Sequence, residues 1–169
     1  SQQLARTLES ISKAAHGLDD RVELVVVDNG STDGTSAVLK AHAKTACYSV
    51  KLLSEPHRGK GFALNKGLSA TSGDIIAFTD DDCCLRPDYF REAVRLFSQD
   101  TVPTFRGGCA LPGDSDDLRF SLITSDEERI LAKRDHPCEW LIGCNMIMPR
   151  SIFEKVGWFD TRFGPGTAF

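Results

Sequence analysis

Gly73-Asp74-Ile75-Ile76-Ala77-Phe78-Thr79-Asp80-Asp81-Asp82 decides how this chain is read. A short apolar run ends abruptly in three consecutive carboxylates. The run reads as a strand, and in an open α/β sheet ligands bind beyond the carboxyl ends of the strands. Three adjacent acids repel one another, and a hard divalent cation with oxygen ligands relieves that repulsion. Side chains two apart in an extended segment share a face. Asp80 and Asp82 are therefore expected to face one site while Asp81 points away. The plainer alternative is an exposed acidic turn that caps the next helix.

Upstream of this stretch the same rhythm recurs. Leu4, Leu8, Ile11 and Ala15 stand at helical spacing, with Gly17 as a stop. Val22-Glu23-Leu24-Val25-Val26-Val27 reads as a strand buried on both faces. Ala37 to Ala43 is expected to be helical, Val50 to Leu53 a strand, and Phe62 to Ser69 a helix. Downstream, Pro87 opens a helix to about Ser98, with Phe90, Val94 and Phe97 on one face. Strands alternating with helices imply right-handed β-α-β units and a mostly parallel sheet with helices on both faces. After Asp100 the expectations are a strand over Thr104–Leu111, an acidic loop over Gly113–Asp117 and a helix over Ser121–Arg134. A strand over Leu141–Met148, a helix over Ser151–Val156 and a loop-like tail from Phe163 follow.

Composition bounds the function. The 169 residues suit one domain with a sizeable core, and the 41% hydrophobic and 26% charged content is ordinary for a globular protein. A net charge of −4 without a dense basic block argues against a nucleic-acid partner. It does not exclude an anionic small molecule, because a bound cation inverts the local field. No apolar run approaches the roughly 18 residues that cross a bilayer, and Ser1–Arg6 lacks a signal-peptide pattern. A cytoplasmic protein, peripheral at most to the inner membrane face, is the expectation. The six cysteines show no Cys-x-x-Cys spacing and are expected to be reduced, buried thiols.

Two further segments carry polar chemistry. Asp28-Asn29-Gly30-Ser31-Thr32-Asp33-Gly34 leaves the end of a strand, so Asp28 is expected to reach the same crevice as Asp80. There its carboxylate could accept a hydrogen bond from a base or a ribose hydroxyl. Ser31, Thr32 and Asp33 suit turn and N-cap duties. His57-Arg58-Gly59-Lys60-Gly61 is a glycine-flanked basic loop suited to closing over an anion, and equally readable as a solvated loop.

Taken in order, these stretches resemble the family-2 glycosyltransferases of GT-A fold, a Rossmann-like α/β architecture. The resemblance is carried by Val25–Thr35, Gly59–Gly67 and Gly73–Asp82, and then by Gly143-Cys144-Asn145-Met146 and Val156-Gly157-Trp158-Phe159-Asp160. It implies that Asp80-Asp81-Asp82 is the family's Asp-x-Asp, with Asp82 a direct ligand of Mn2+ or Mg2+ and Asp80 near the metal and the ribose. Asp28 would read the nucleotide base, and Arg58 would lie in the loop over the nucleotide. It further implies inverting transfer from a nucleotide-diphosphate sugar, a UDP-sugar foremost, to a saccharide, lipid-linked or protein acceptor. A homo-oligomer is compatible with it. Asn29 departs from the acid often found there.

On the same resemblance the chain is one nucleotide-sugar-binding domain that lacks an opening strand and a general-base segment beyond Phe169. A truncated, inactive nucleotide- and metal-binding module is the alternative. Asp160 precedes the glycine-rich loop and is expected to cap a turn rather than act as the base. Core packing is the expectation for Trp158, Phe159 and Phe163. A magnesium-dependent phosphohydrolase with an aspartyl nucleophile fits less well, because Cys84 stands where a Thr or Val is usual and no later acidic pair follows.

Overall fold

A computed structural model describes residues 2–114 and 122–164. In chain order the elements are α1 (Gln2–Ala15), β1 (Glu23–Asp28), α2 (Thr35–Thr45), β2 (Ser49–Ser54), α3 (Lys60–Ala70) and β3 (Ile75–Phe78). They continue with α4 (Tyr89–Phe97), β4 (Arg106–Gly107), β5 (Met146–Pro149) and α5 (Ser151–Val156). Single turns of 3-10 helix stand at Asp19–Arg21 and Pro137–Glu139.

The apolar stripe of α1 does what its spacing predicts. Leu4, Leu8, Ile11 and Ala15 are all buried, and Gly17 with φ of 77° lets the chain leave the helix. Leu4 and Leu8 pack with Leu39 of α2 against Leu24 and Val26 of β1. Ile11 and Ala15 pack with Tyr48 and, beyond it, Leu85 and Phe90. A third cluster joins Leu68, Ile76, Met148 and Phe153, with Phe78 and Phe159 at its margin. Each such side chain contributes about 1.5–3 kcal/mol by leaving water.

β1 and β2 pair in parallel, from Glu23 opposite Ser49 to Asp28 opposite Ser54. The other sheet has the order β3-β5-β4 and is antiparallel throughout. The α/β class stands, but the parallel ladder is confined to β1 and β2. The reason lies in β5, which enters from the irregular segment before it and runs against β3 from Met146 opposite Phe78 to Pro149 opposite Ile75. β3 itself shares the direction of β1. The Glu23 carboxylate meets the backbone of Ser72 and Gly73 at their starting ends, and both finishing ends line one cavity. That cavity, about 670 Å³, runs between β1 and β3 along their length. It leaves every position of β1 half-buried rather than buried on both faces.

Several sequence expectations fail after Asp100. The strand over Thr104–Leu111 contracts to Arg106–Gly107, and that over Leu141–Met148 to Met146–Pro149. No helix forms between Leu122 and Arg134; Ile130 is 91% exposed, so the segment presents no apolar face to a core. Residues 115–117 of the expected acidic loop, Ser121 of the expected helix and residues 165–169 of the tail lie outside the described residues. The cysteines are free thiols as expected, but none is buried: Cys47, Cys84, Cys109 and Cys138 are exposed, Cys83 and Cys144 half-buried. Five lie outside the helices and strands and Cys138 sits in the single 3-10 turn Pro137–Glu139, where few neighbours cover them.

Candidate nucleotide and cation site

The site forms where β1, β3 and the start of α3 end together. β3 stops at Phe78, and the acids that follow make a turn, with the Cys83 amide donating to the Asp80 carbonyl at 3.4 Å. The acidic stretch is thus not extended, and the alternation of side chains expected for Asp80, Asp81 and Asp82 does not apply. A turn suits three neighbouring charges because it fans their side chains apart. α1 fastens this turn from below. Thr7 Oγ1 donates to the Asp81 carbonyl at 3.0 Å, and Ser10 Oγ accepts the Leu85 amide at 3.0 Å. These two buried polar residues interrupt the apolar helix face, and their partners explain why.

Asp80 is half-buried and lines the cavity together with Asp28, Asn29 and Lys60, and Asp81, expected to point away, lines it too. The Lys60 ammonium lies 2.6 Å from Asp80 Oδ1. Asp28 Oδ1 accepts the Ser31 amide at 2.8 Å, closing the turn after β1. Asp33 does the same for Thr35 at 3.0 Å as α2 begins. The turn role expected of Ser31, Thr32 and Asp33 therefore falls to Asp33, joined by Asp28, while α2 starts after Gly34 with no side-chain cap.

The remaining expected site residues lie further out. Asp82 is exposed and outside the cavity lining; its Oδ1 accepts the Cys83 thiol at 3.3 Å. Burial pushes the Cys83 thiol well up, with Asp82 and Cys144 adding to the effect. Arg58 is exposed and makes no ion pair among the described residues. The structure thus brings Asp28 and Asp80 together and leaves Asp82 and Arg58 in solvent.

Two residues not assigned a role in the sequence shape the site. Asn29 clamps the basic loop: its Nδ2 donates to the carbonyls of Glu55 and His57, each at 2.7 Å, and its Oδ1 accepts the Gly59 amide at 3.2 Å. A carboxylate there could not donate, which explains why an amide in place of an acid is compatible with this loop. Gly59, with φ of 131°, adopts a backbone that other residues avoid and delivers Lys60 to the first position of α3. The second residue is Lys60 itself. Its position before a helix in a glycine-flanked loop was the only available sign.

The segment after α5 packs against α3. Asn65 of α3 exchanges two hydrogen bonds with Phe159, donating to its carbonyl at 2.8 Å and accepting its amide at 2.9 Å. A Cβ at Gly61 would lie 3.1 Å from Thr161 Cα, so this close approach needs glycine. Phe159 packs edge-on to Phe78, centroids 5.4 Å apart, and belongs to the core as expected. Trp158 and Phe163 do not; they are 57% and 59% exposed. Asp160 caps its own turn, accepting the Arg162 amide at 3.0 Å. The Arg162 guanidinium, through its hydrogen bonds, holds this carboxyl at about 2. Such a weakly basic carboxylate is ill suited to take a proton at neutral pH.

The fold matches solved structures. Over 94% of the chain it superposes on 46% of Staphylococcus aureus TarS residues 1–349, with TM-score 0.73 and 16% identity. Over 98% it superposes on 46% of the Pyrobaculum calidifontis mannosyltransferase PcManGT in complex with GDP-Man and Mn2+, with TM-score 0.68 and 23% identity. The fold is that of the GT-A enzymes. Residues 1–157 match Glycosyl transferase family 2, and the chain belongs to that family. Among curated relatives, the Haloferax volcanii glycosyltransferase AglE is 32% identical over 149 residues, covering 86% of this chain and 48% of AglE. The chain spans about half the length, or less, of the curated relatives it matches. No helix among the described residues is long and apolar enough to cross a membrane.

Proposed function

We propose that this chain is the donor-binding part of an inverting, divalent-metal-dependent glycosyltransferase that moves a sugar from a nucleoside-diphosphate donor to a hydroxyl acceptor. One observation carries the reading: Asp28 and Asp80, from the ends of two strands that share a direction, line one crevice that Lys60, paired with Asp80 at 2.6 Å, also lines. The family membership, and the GDP-Man and Mn2+ in the Pyrobaculum enzyme's complex, support the substrate class and the metal.

The residues present fit a hard cation. Asp80 and Asp82 offer carboxylate oxygens, the ligand type of Mg2+ and Mn2+, and Asp80 already attracts a positive charge at 2.6 Å. Among the described residues no group of three His, Cys, Asp or Glu side chains could hold a metal. Asp80 would supply part of the shell from the crevice and Asp82 from the solvent-exposed side of the same turn, leaving the rest to water and donor phosphates, as Mg2+ commonly requires. When bound, the cation would neutralise charge building on the departing diphosphate.

The protein's own groups have separable tasks. Asp28 presents a strand-end carboxylate to the base or ribose of a UDP or GDP moiety. Asn29 holds the loop that carries Arg58 over the nucleotide. α1, through Thr7 and Ser10, keeps the acidic turn in place during turnover. A second reading, binding of nucleotide and cation without transfer, is favoured by one observation: Asp160, whose backbone carbonyl stands beside Gly61 at the start of α3, has its carboxylate committed to Arg162.

Calorimetry with UDP and with GDP, each with Mn2+, tests the proposal beside a turnover assay. Asp82→Ala is expected to abolish metal-dependent binding in folded protein. Unchanged affinity would refute the site, and binding without turnover would favour the second reading.

A further inference from the structure

Lys60 occupies an awkward place. It is the first residue of an eleven-residue helix, α3, whose first turn contains no acid. Free backbone N–H groups and the helix dipole make such an end positive, so an ammonium there is locally unfavourable. Gly59 and the Asn29 clamp nonetheless fix its backbone. What offsets the mismatch is Asp80, whose Oδ1 lies 2.6 Å from Nζ in the sole ion pair of the acidic turn among the described residues. On its other flank the ammonium borders Gly143, where an added Cβ would stand 3.8 Å away. Both partners keep 39% of their side-chain surface exposed, so the pair can open without unpacking the core.

We propose that Lys60 is a built-in counter-cation: it holds Asp80 until a divalent cation takes that carboxylate, and is then released to the anionic nucleotide. This rests on the metal reading of Asp80 and Asp82 given above. The ammonium occupies Asp80 Oδ1 and, among the described residues, leaves Oδ2 open, but a second cation on the same carboxylate is repelled by the first. A nucleoside diphosphate offers the displaced ammonium a new anion beside the positive start of α3. Metal and nucleotide then each favour the other's binding, and this coupling is reciprocal. Without nucleotide, Lys60 offsets one of the three carboxylates of the acidic turn and weakens its hold on free metal.

The test measures Mn2+ binding by electron paramagnetic resonance, with and without UDP or GDP, in the wild-type chain and in Lys60→Met, Lys60→Gln and Lys60→Arg. Circular dichroism confirms that each variant is folded. Lys60→Met and Lys60→Gln are expected to bind Mn2+ alone about tenfold more tightly than wild type. The tightening of Mn2+ by nucleotide should shrink by a similar factor. Lys60→Arg, which retains a cation opposite Asp80, should behave as wild type. Unchanged or weaker Mn2+ binding in both neutral variants overturns the counter-cation role, and an undiminished nucleotide effect overturns the handover. Asp80→Asn serves as the control on the underlying reading. If it binds Mn2+ as wild type does, the metal site itself is wrong, whatever the lysine variants show.

Discussion

Replacing Glu23 by Gln should loosen the amino end of the strand layer and flatten the acid limb of the stability profile. Glu23 opens β1, and its carboxylate ties together three elements. Oε1 accepts the backbone amides of Ser72 and Gly73 and the Ser72 hydroxyl at 2.9 Å, just before β3. Oε2 accepts Lys51 Nζ of β2 at 2.8 Å, and the same ammonium reaches the Ala70 carbonyl at 2.8 Å. Burial alone would raise this carboxyl, yet the hydrogen bonds from Lys51, Ser72 and Gly73 overcome it and hold the group down at about 2. Against an unfolded value of about 4.3, such a shift corresponds to about 3 kcal/mol. Residual solvent at the sheet edge screens part of it, leaving about 1–2 kcal/mol.

The sign follows from linkage. A carboxyl depressed by folding stabilises the protein above its unfolded value, and that contribution disappears as pH falls from about 4.5 towards 2. Glu23→Gln should therefore lose about 1–2 kcal/mol at pH 7 and lose less than wild type between pH 5 and pH 2.5. Urea unfolding followed by circular dichroism at a series of pH values reads both quantities. A variant as stable as wild type at pH 7, with the same slope in acid, would refute the role given to Glu23.

Two other substitutions probe the site's supports. Asn29→Ala removes three hydrogen bonds to the basic loop; it should cost about 1–2 kcal/mol and speed tryptic cleavage after Arg58, and an unchanged cleavage rate would show that the clamp is dispensable. Thr79 Oγ1, beside Asp80, is buried without a hydrogen-bond partner. Thr79→Val should therefore leave urea stability unchanged or raise it by about 1 kcal/mol at most. A clear loss of stability would mean that the hydroxyl has an energetic role.

Local pattern was most legible where one face of an element is buried. The stripe of Leu4, Leu8, Ile11 and Ala15 defined α1, and the helix expected over Ser151–Val156 has those bounds in the structure. Legibility fell after Asp100 because the chain there has little periodic apolar content. A helix is expected over Ser121–Arg134, yet Ile130 in its midst stays in water. At the site, the acids and the strand ends carrying them were readable from residue type and order. Their mutual geometry was not: the expected extended run is a turn.

Sequence alone determined the class of the protein: strand-helix alternation, an acidic strand end and an ordered set of motifs that place it in its family. These are properties of near neighbours along the chain, where spacing translates directly into faces and ends. Tertiary structure alone decided which acid is paired, which is solvated and which loop is held. Lys60 and Asp80 are twenty residues apart and Asn29 and Gly59 thirty. Only the packing of α1, β1, β3 and α3 brings those groups within hydrogen-bonding reach.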